Sequence, residues 1–133
     1  MTERVDPIKM HKEAISLMEN GKYKEAQELF AKTGELYYKG QNYFGAAEMY
    51  YKAGEAAVAL KDCEKGAEFF MKSSDIAFSK AFDRYGLSGL EQARDCQKVL
   101  GKTKEVEELE KKIKEINDKQ KEPEGESTFS VFS

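Results

Sequence analysis

The sequence predicts an all-α fold: six antiparallel helices in three hairpins, stacked as a short right-handed superhelix. Three observations predict it. The segments Tyr23–Leu36, Tyr43–Ala56 and Cys63–Ile76 superimpose without a gap at a shift of 20 residues. Such a fixed period indicates structural units that stack on one another. Charged and apolar residues follow helical spacing, and proline occurs only at positions 7 and 123, so no proline interrupts a helix between them.

Composition narrows the class of protein. Of the 133 residues, 35% are charged and 40% are hydrophobic, a mixture typical of helical proteins. The net charge of −3 gives no electrostatic case for binding nucleic acid. The N-terminus lacks the apolar segment of a signal peptide, and no apolar run approaches the roughly 20 residues that span a bilayer. We therefore expect a cytoplasmic protein that does not insert directly into a membrane.

The first three helices have clear ends. Asp6 is a good cap and Pro7 suits the first helical position, so the first helix begins there and ends at Asn20-Gly21. The second is predicted from about Tyr23 to Lys39 and the third from about Tyr43 to Leu60.

The last three helices are less sharply bounded. The fourth is predicted from about Cys63 to Phe82 and the fifth from about Ser88 to Leu100, with Gly86-Leu87-Ser88-Gly89 interpreted as a helix connection. The sixth begins near Thr103, and its apolar residues form a narrow seam: Val106, Leu109, Ile113 and Ile116. The hairpins are then residues 7–39, 43–82 and 88–121, within a domain that covers residues 1–121.

The repeat places small, aromatic and small residues at i, i+4 and i+8, which lie on one side of a helix. The three sets are Ala26-Phe30-Gly34, Ala46-Tyr50-Gly54 and Gly66-Phe70-Ser74. Small residues allow neighbouring helices to approach closely, and the aromatic ring fills the remaining space. Close contact would offset the cost of a glycine within a helix, about 1 kcal/mol relative to alanine.

No residue pattern indicates an enzyme, a cofactor or a metal site. His11 is the single histidine and lies on the apolar stripe of the first helix, so packing against another helix is its expected role. Cys63 and Cys96 lack C-x-x-C spacing and are expected to be reduced, half-buried thiols, with a disulfide between them as the alternative. We therefore predict no catalytic, cofactor-binding or metal-binding residues.

Two segments carry a family resemblance: GKYKEAQELF, and NYFGAAEMYYKAGEAAVALKDCEKGAEFFMKSSDIA. The G-x-Y-x-x-A pattern at Gly21, Tyr23 and Ala26 resembles the tetratricopeptide-like helical repeat. The hairpin of about forty residues, with A-A-x-x-Y-x-K-A-G-E in its first helix, is more similar to the soluble NSF-attachment protein (SNAP) branch than to the standard 34-residue repeat. The resemblance covers roughly residues 8–118.

This resemblance implies a rigid scaffold that holds another polypeptide in a surface groove. SNAP-family proteins are about twice as long, and they bridge helical bundles of membrane-fusion proteins to a disassembly ATPase. The present chain has STFSVFS where that family has an acidic, leucine-bearing terminus, so the ATPase-binding residues do not carry over. The expected function is a non-catalytic adaptor for a protein or peptide, with a membrane-trafficking adaptor as an alternative.

In such superhelices the first helix of each hairpin usually lines the concave side. That placement predicts six partner-binding residues: Glu48, Tyr51, Lys52, Glu55, Arg94 and Gln97. Tyr37 and Tyr50 are expected to pack in the core, leaving Tyr38 or Tyr51 partly exposed for binding. An ordinary solvated face is the competing interpretation.

Residues 122–133 differ from the rest, being acidic at first and then apolar. They are predicted to lack regular structure and to present a docking motif of Phe129, Val131 and Phe132, received by a partner or by this chain's own groove. A tail without a role is the competing interpretation. A second hypothesis is self-assembly into a homo-oligomer through this tail or through the Val106–Ile116 seam.

Overall fold

The computed structural model describes residues 5–121, which form six α-helices and no strand. In chain order the helices are α1 (Pro7–Glu19), α2 (Tyr23–Lys39), α3 (Tyr43–Ala59), α4 (Cys63–Ser79), α5 (Asp83–Val99) and α6 (Thr103–Gln120). Each helix packs against the next one in sequence. The all-α prediction is confirmed. Residues 122–133, with the predicted docking motif, lie outside the described residues.

The helices follow the 20-residue period further than the sequence indicated. The starts of α2 to α6 are spaced at 20 residues throughout, so the period predicted for three units continues through five. Five three-residue turns connect the helices, and the middle residue of each has a positive φ, between 63° and 76°: Gly21, Gln41, Lys61, Ala81 and Gly101.

All five turns use the same hydrogen bond. In the turn after α4, for example, the Phe82 N–H donates to the carbonyl oxygen of Ala77 over 2.8 Å, and the other turns repeat this bond at 2.8–3.0 Å. This bond, with a left-handed residue before it, defines the Schellman ending of a helix. Only two of the five turns in residues 5–121 have glycine at the left-handed position.

The predicted boundary between the fourth and fifth helices is wrong. α4 ends at Ser79 rather than Phe82, and α5 begins at Asp83 rather than Ser88. Left-handed Ala81 makes this turn, so no glycine marks the helix end in the sequence.

The glycines taken for a connection lie inside α5 instead. A Cβ atom at Gly86 would lie 2.7 Å from the Phe78 ring, and one at Gly89 would lie 2.9 Å from the Phe70 carbonyl oxygen. These glycines therefore allow α5 to lie close against α4, and they do not form a turn.

The predicted contacts between small and aromatic residues are confirmed. A Cβ atom at Gly34 would lie 3.1 Å from the Tyr50 ring, and one at Gly54 would lie 2.8 Å from the Phe70 ring. Each glycine thus leaves room for the aromatic residue of the following helix. The main core cluster joins buried residues of α1 to α4, and a second cluster in α4 and α5 is formed by Ala67, Phe70, Ala93 and Cys96.

Buried serines connect α4 to both of its neighbours. Ser73 donates a hydrogen bond to the Ala47 carbonyl oxygen of α3, and Ser74 donates one to the Gly86 carbonyl oxygen of α5, each over 2.7 Å. Both hydroxyls are fully buried and bonded, so α4 continues through these two weak helix formers.

Candidate functional site

Aromatic side chains gather where the start of α3 meets the start of α5. The Phe44 ring packs edge-on against the rings of Phe82 and Tyr85, with centroid distances of 5.3 Å in both cases. Tyr51 continues the cluster, 5.6 Å from Tyr85. Phe44 remains 47% exposed and Phe82 36% exposed. We call Phe44, Tyr51, Phe82 and Tyr85 the aromatic surface.

The two most exposed rings of the aromatic surface both lie at the start of a helix. Phe82 is the last residue of the turn made by Ala81, immediately before α5, and Phe44 is the second residue of α3. One N–H group at the start of α3, that of Gly45, donates to the Asn42 side-chain oxygen over 2.9 Å. A shallow, open cavity of about 600 Å³ lies beside the aromatic surface, lined by Phe44 and by residues at the start of α5.

The repeat shows that the scaffold does not require these rings. At the positions equivalent to Phe82 the other units have Lys22, Asn42, Asp62 and Lys102, and at those equivalent to Phe44 they have Lys24, Glu64, Arg84 and Lys104. Tyr85 takes a position that is otherwise Glu25, Gly45, Lys65 and Glu105. The same backbone therefore forms with polar residues or glycine at all three positions.

Polar groups border the aromatic surface. The hydroxyls of Tyr51 and Ser88 share a hydrogen bond of 3.1 Å, which connects α3 to α5. Burial raises the pKa of the Tyr85 phenol well above its usual value, and the nearby negative charge of Glu48 raises it further. Asp83 and Arg84 line the cavity beside the rings. The surface can thus offer apolar contact together with hydrogen bonds and both signs of charge.

The six predicted partner-binding residues lie in different places. Tyr51 belongs to the aromatic surface, and Glu48 is close enough to Tyr85 to act on its pKa. Lys52 and Glu55 line a smaller cavity of about 200 Å³, shared with residues of α1 and α2: Ile15, Met18, Glu19 and Phe30. Burial raises the pKa of the Glu55 carboxyl, and the Lys52 ammonium opposes that rise.

Arg94 and Gln97 lie elsewhere on α5. The Arg94 guanidinium pairs with the adjacent Asp95 at 3.0 Å. Gln97 lines a cavity bordered by α4 and the turn before α6, and its side-chain oxygen is buried without a hydrogen-bond partner among residues 5–121. The six predicted residues are thus brought together only in part.

The predictions for the neighbouring tyrosines and for His11 are confirmed. Tyr37 and Tyr50 are buried, whereas Tyr38 is 49% exposed and Tyr51 is partly exposed. His11 packs edge-on against Tyr37, and its Nδ1 lies 3.3 Å from the Tyr37 hydroxyl oxygen.

Sequence reasoning missed Phe44, Phe82 and Tyr85. They could have been identified by extending the 20-residue repeat from three units to five. Alignment of all five units shows an aromatic ring at three positions where the other units have polar residues or glycine. This pattern was not recognised because the wrong boundary between α4 and α5 placed Phe82 inside a helix and Tyr85 in a loop.

Across residues 5–121, no group of three or more His, Cys, Asp or Glu side chains is arranged to hold a metal ion. No helix in that range has both the length and the apolar character needed to cross a membrane.

Comparison of the chain with protein-family models, curated proteins and solved structures finds no significant match. The resemblance to the SNAP branch therefore depends on the sequence motifs alone, while the repeated helical architecture is an observation of the structure.

Proposed function

We propose that this protein is a non-catalytic scaffold that binds an apolar segment of a partner polypeptide on the aromatic surface. One observation carries the proposal: Phe44 and Phe82 are large, half-exposed rings at repeat positions that are otherwise polar. Because the scaffold forms without rings at these positions, a binding role explains their presence. Exposed aromatic residues that adjoin a cavity are typical of protein-binding surfaces.

We infer further that the helices pair as three antiparallel hairpins in a short right-handed superhelix of the tetratricopeptide type, closest to the SNAP branch. Three-residue turns favour reversal of the chain. A salt bridge of 3.6 Å between Lys98 of α5 and Glu110 of α6 supports reversal at the last turn. Alternate helices also meet, since Ile15 of α1 and Lys52 of α3 line one cavity.

The cavity beside the rings suits one or two apolar side chains of an extended or helical segment. Their burial would contribute roughly 25 cal/mol for each Å² of apolar surface removed from water. The hydroxyls of Tyr51 and Ser88, and the charges of Asp83 and Arg84, would orient the backbone and polar groups of the partner. Removal of an aromatic anchor from such an interface weakens binding by about 2 kcal/mol, roughly thirtyfold.

The test replaces both half-exposed rings, Phe44→Ser with Phe82→Ser, and compares affinity capture by the variant and the parent. Val99→Ser is the matched control, because Val99 is 75% exposed and lies at the other end of α5. We expect a set of proteins that the parent and the control retain and the double variant loses. Circular dichroism monitors the helical content of all three. Equal capture by the double variant, with helical content retained, would show that the surface is not the binding site.

A test of Tyr51 requires a substitution that keeps the packing of its ring. Its ring packs 5.0 Å from the buried Phe70 ring, so alanine would remove a contact between helices as well as a binding group. Tyr51→Phe removes only the hydroxyl bonded to Ser88 and keeps the packing. A moderate loss of capture for Tyr51→Phe would assign the hydroxyl to partner binding.

Self-assembly is the second candidate. It is favoured by the last described helix, where Val106 and Ile113 are buried but Leu109 and Ile116 remain partly exposed. Light scattering on a chain truncated after Gln120 separates two routes. A smaller assembly than that of the full chain assigns the contact to residues 121–133, whereas an unchanged mass excludes them.

The tail has its own test. A synthetic peptide of residues 122–133, which contains Phe129, Val131 and Phe132, is titrated against the truncated chain with and without the Phe44→Ser and Phe82→Ser changes. Binding that depends on the two rings would assign the tail to the aromatic surface. A role in membrane trafficking is a narrower form of the adaptor proposal, supported by the SNAP-like motifs alone.

A further inference from the structure

The two cysteines of this chain meet at one contact between helices. Cys63 is the first residue of α4 and Cys96 lies in the last turn of α5. Cys63 packs against the second core cluster, which contains Cys96. Both are free thiols; Cys96 is only 4% exposed, whereas Cys63 is partly open to solvent.

Neighbouring contacts place the two cysteine residues close together. A Cβ atom at Gly66, one turn beyond Cys63, would lie 3.3 Å from the Cys96 Sγ atom. The end of α5 is also held near the start of α4, because Lys102 and Glu64 form a salt bridge of 3.6 Å. Burial raises the pKa of the Cys96 thiol to about 12, and the neighbouring Cys63 thiol raises it further.

Comparison of the repeat units shows that the fold does not require cysteine at these two positions. The chain has two cysteines in 133 residues, and the helix pair α4–α5 brings both to one contact. The equivalent pairs of positions in the two preceding helix pairs are occupied by Tyr23 with Ala56 and by Tyr43 with Ile76. Thus the scaffold does not need a thiol at either position.

We propose that Cys63 and Cys96 form a dithiol site that a low-molecular-weight disulfide, such as oxidised glutathione, converts reversibly to an intramolecular disulfide. This inference is independent of the proposed binding function. We expect Cys63 to be the first thiol to react, because it is partly exposed to solvent while Cys96 is buried in the core.

The chemistry is a pair of thiol–disulfide exchanges. The Cys63 thiolate attacks one sulfur of the small disulfide and forms a mixed disulfide with it. The S–S bond of the small disulfide breaks, and the first small thiolate is released. Cys96 then attacks the Cys63 sulfur of the mixed disulfide and releases the second small thiolate. The two cysteine protons pass through water to these thiolates. Two protein thiols are oxidised, and one small disulfide is reduced to two thiols.

The expected consequence is a cross-link between the start of α4 and the end of α5. It would close a loop between positions 63 and 96, which restricts the unfolded chain. For a domain of this size we expect the oxidised protein to have a Tm higher than that of the reduced protein by roughly 5–15 °C.

The test exposes the full reduced chain to oxidised glutathione and measures its intact mass. Oxidation to the disulfide predicts a monomer lighter by about 2 Da and free of glutathione, which a dithiol reductant reverses. Proteolytic mapping should join the peptides that contain Cys63 and Cys96. Thermal unfolding of the oxidised and reduced forms then measures the shift in Tm.

Single variants check the order of the two steps. Cys96→Ser should hold a stable glutathione adduct on Cys63, whereas Cys63→Ser should remain largely unmodified, since its remaining thiol is buried. The proposal is overturned if the parent chain stays fully reduced, keeps a glutathione adduct, or forms a disulfide-linked dimer. A fully reduced chain would show that Cys63 does not react with the small disulfide, and either of the other two outcomes would show that the two thiols do not reach one another.

Discussion

The turn between α3 and α4 and the turn between α4 and α5 share one backbone but carry different side chains. In the first, Asp62 accepts a hydrogen bond from the Lys65 N–H over 3.1 Å and so caps α4. In the second, Phe82 occupies the equivalent position and provides no side-chain cap for α5. A cap of this kind contributes about 1 kcal/mol. The second turn therefore lacks this stabilising bond and displays a ring, to which we assign the proposed binding role.

The repeat as a whole contains two kinds of position: those that pack neighbouring helices together and those that lie on the surface. Gly54 lies directly against the Phe70 ring, so its position holds neighbouring helices together. Phe44 and Phe82 lie on the outside, where other units have polar residues. Substitutions at the first kind of position should change stability, and substitutions at the second should mainly change binding.

The largest effect on stability is expected from Gly54→Val. A Cβ atom there would lie 2.8 Å from the Phe70 ring, so the two added methyl groups must displace α3 from α4. Overpacking of this kind costs about 3 kcal/mol, which urea unfolding would measure. Gly40→Ala is the control, because its Cβ would meet only ordinary contacts of 3.5 Å and longer. Equal stability of Gly54→Val and the parent would contradict the role assigned to the repeated small residues.

A smaller loss is expected from Asp62→Ala. The Lys65 N–H loses its acceptor, and the free energy of unfolding should fall by about 1 kcal/mol. Lys22→Ala is the matched control: Lys22 precedes α2 at the equivalent position without a side-chain cap, so its removal should change stability by less than about 0.5 kcal/mol. If both variants lose the same amount, the difference between the two turns does not lie in capping.

The smallest expected effect is a gain from Ala81→Gly. Ala81 has a φ of 65°, where a Cβ atom is strained and glycine is not, so unfolding should require about 0.5–1 kcal/mol more. Gly101→Ala reverses the change in a turn with a φ of 73° and should lower stability by a similar amount. The two shifts in Tm must have opposite signs if all the turns share one geometry.

Much of the architecture could be predicted because it depends on local signals. Asp6 caps α1 as expected, accepting from the Ile8 N–H over 3.0 Å, and the ends of α2 agree with the prediction. The predicted contacts of Gly34 and Gly54 are also present. The candidate site was harder to predict from the sequence. Phe44 and Phe82 are 38 positions apart and meet only because α3 and α5 lie side by side.

By itself, the sequence determined the all-α class, the 20-residue period, and the residues through which neighbouring helices approach. Spacing along a helix and hydrogen bonds near its ends act over a few residues, so they can be recognised in the chain alone. Only the tertiary structure decided that Ala81 makes a turn while Gly86 and Gly89 lie within α5. The space around a glycine depends on the neighbouring helix, and the meetings of Phe44 with Phe82 and of Cys63 with Cys96 depend on how the helices stack.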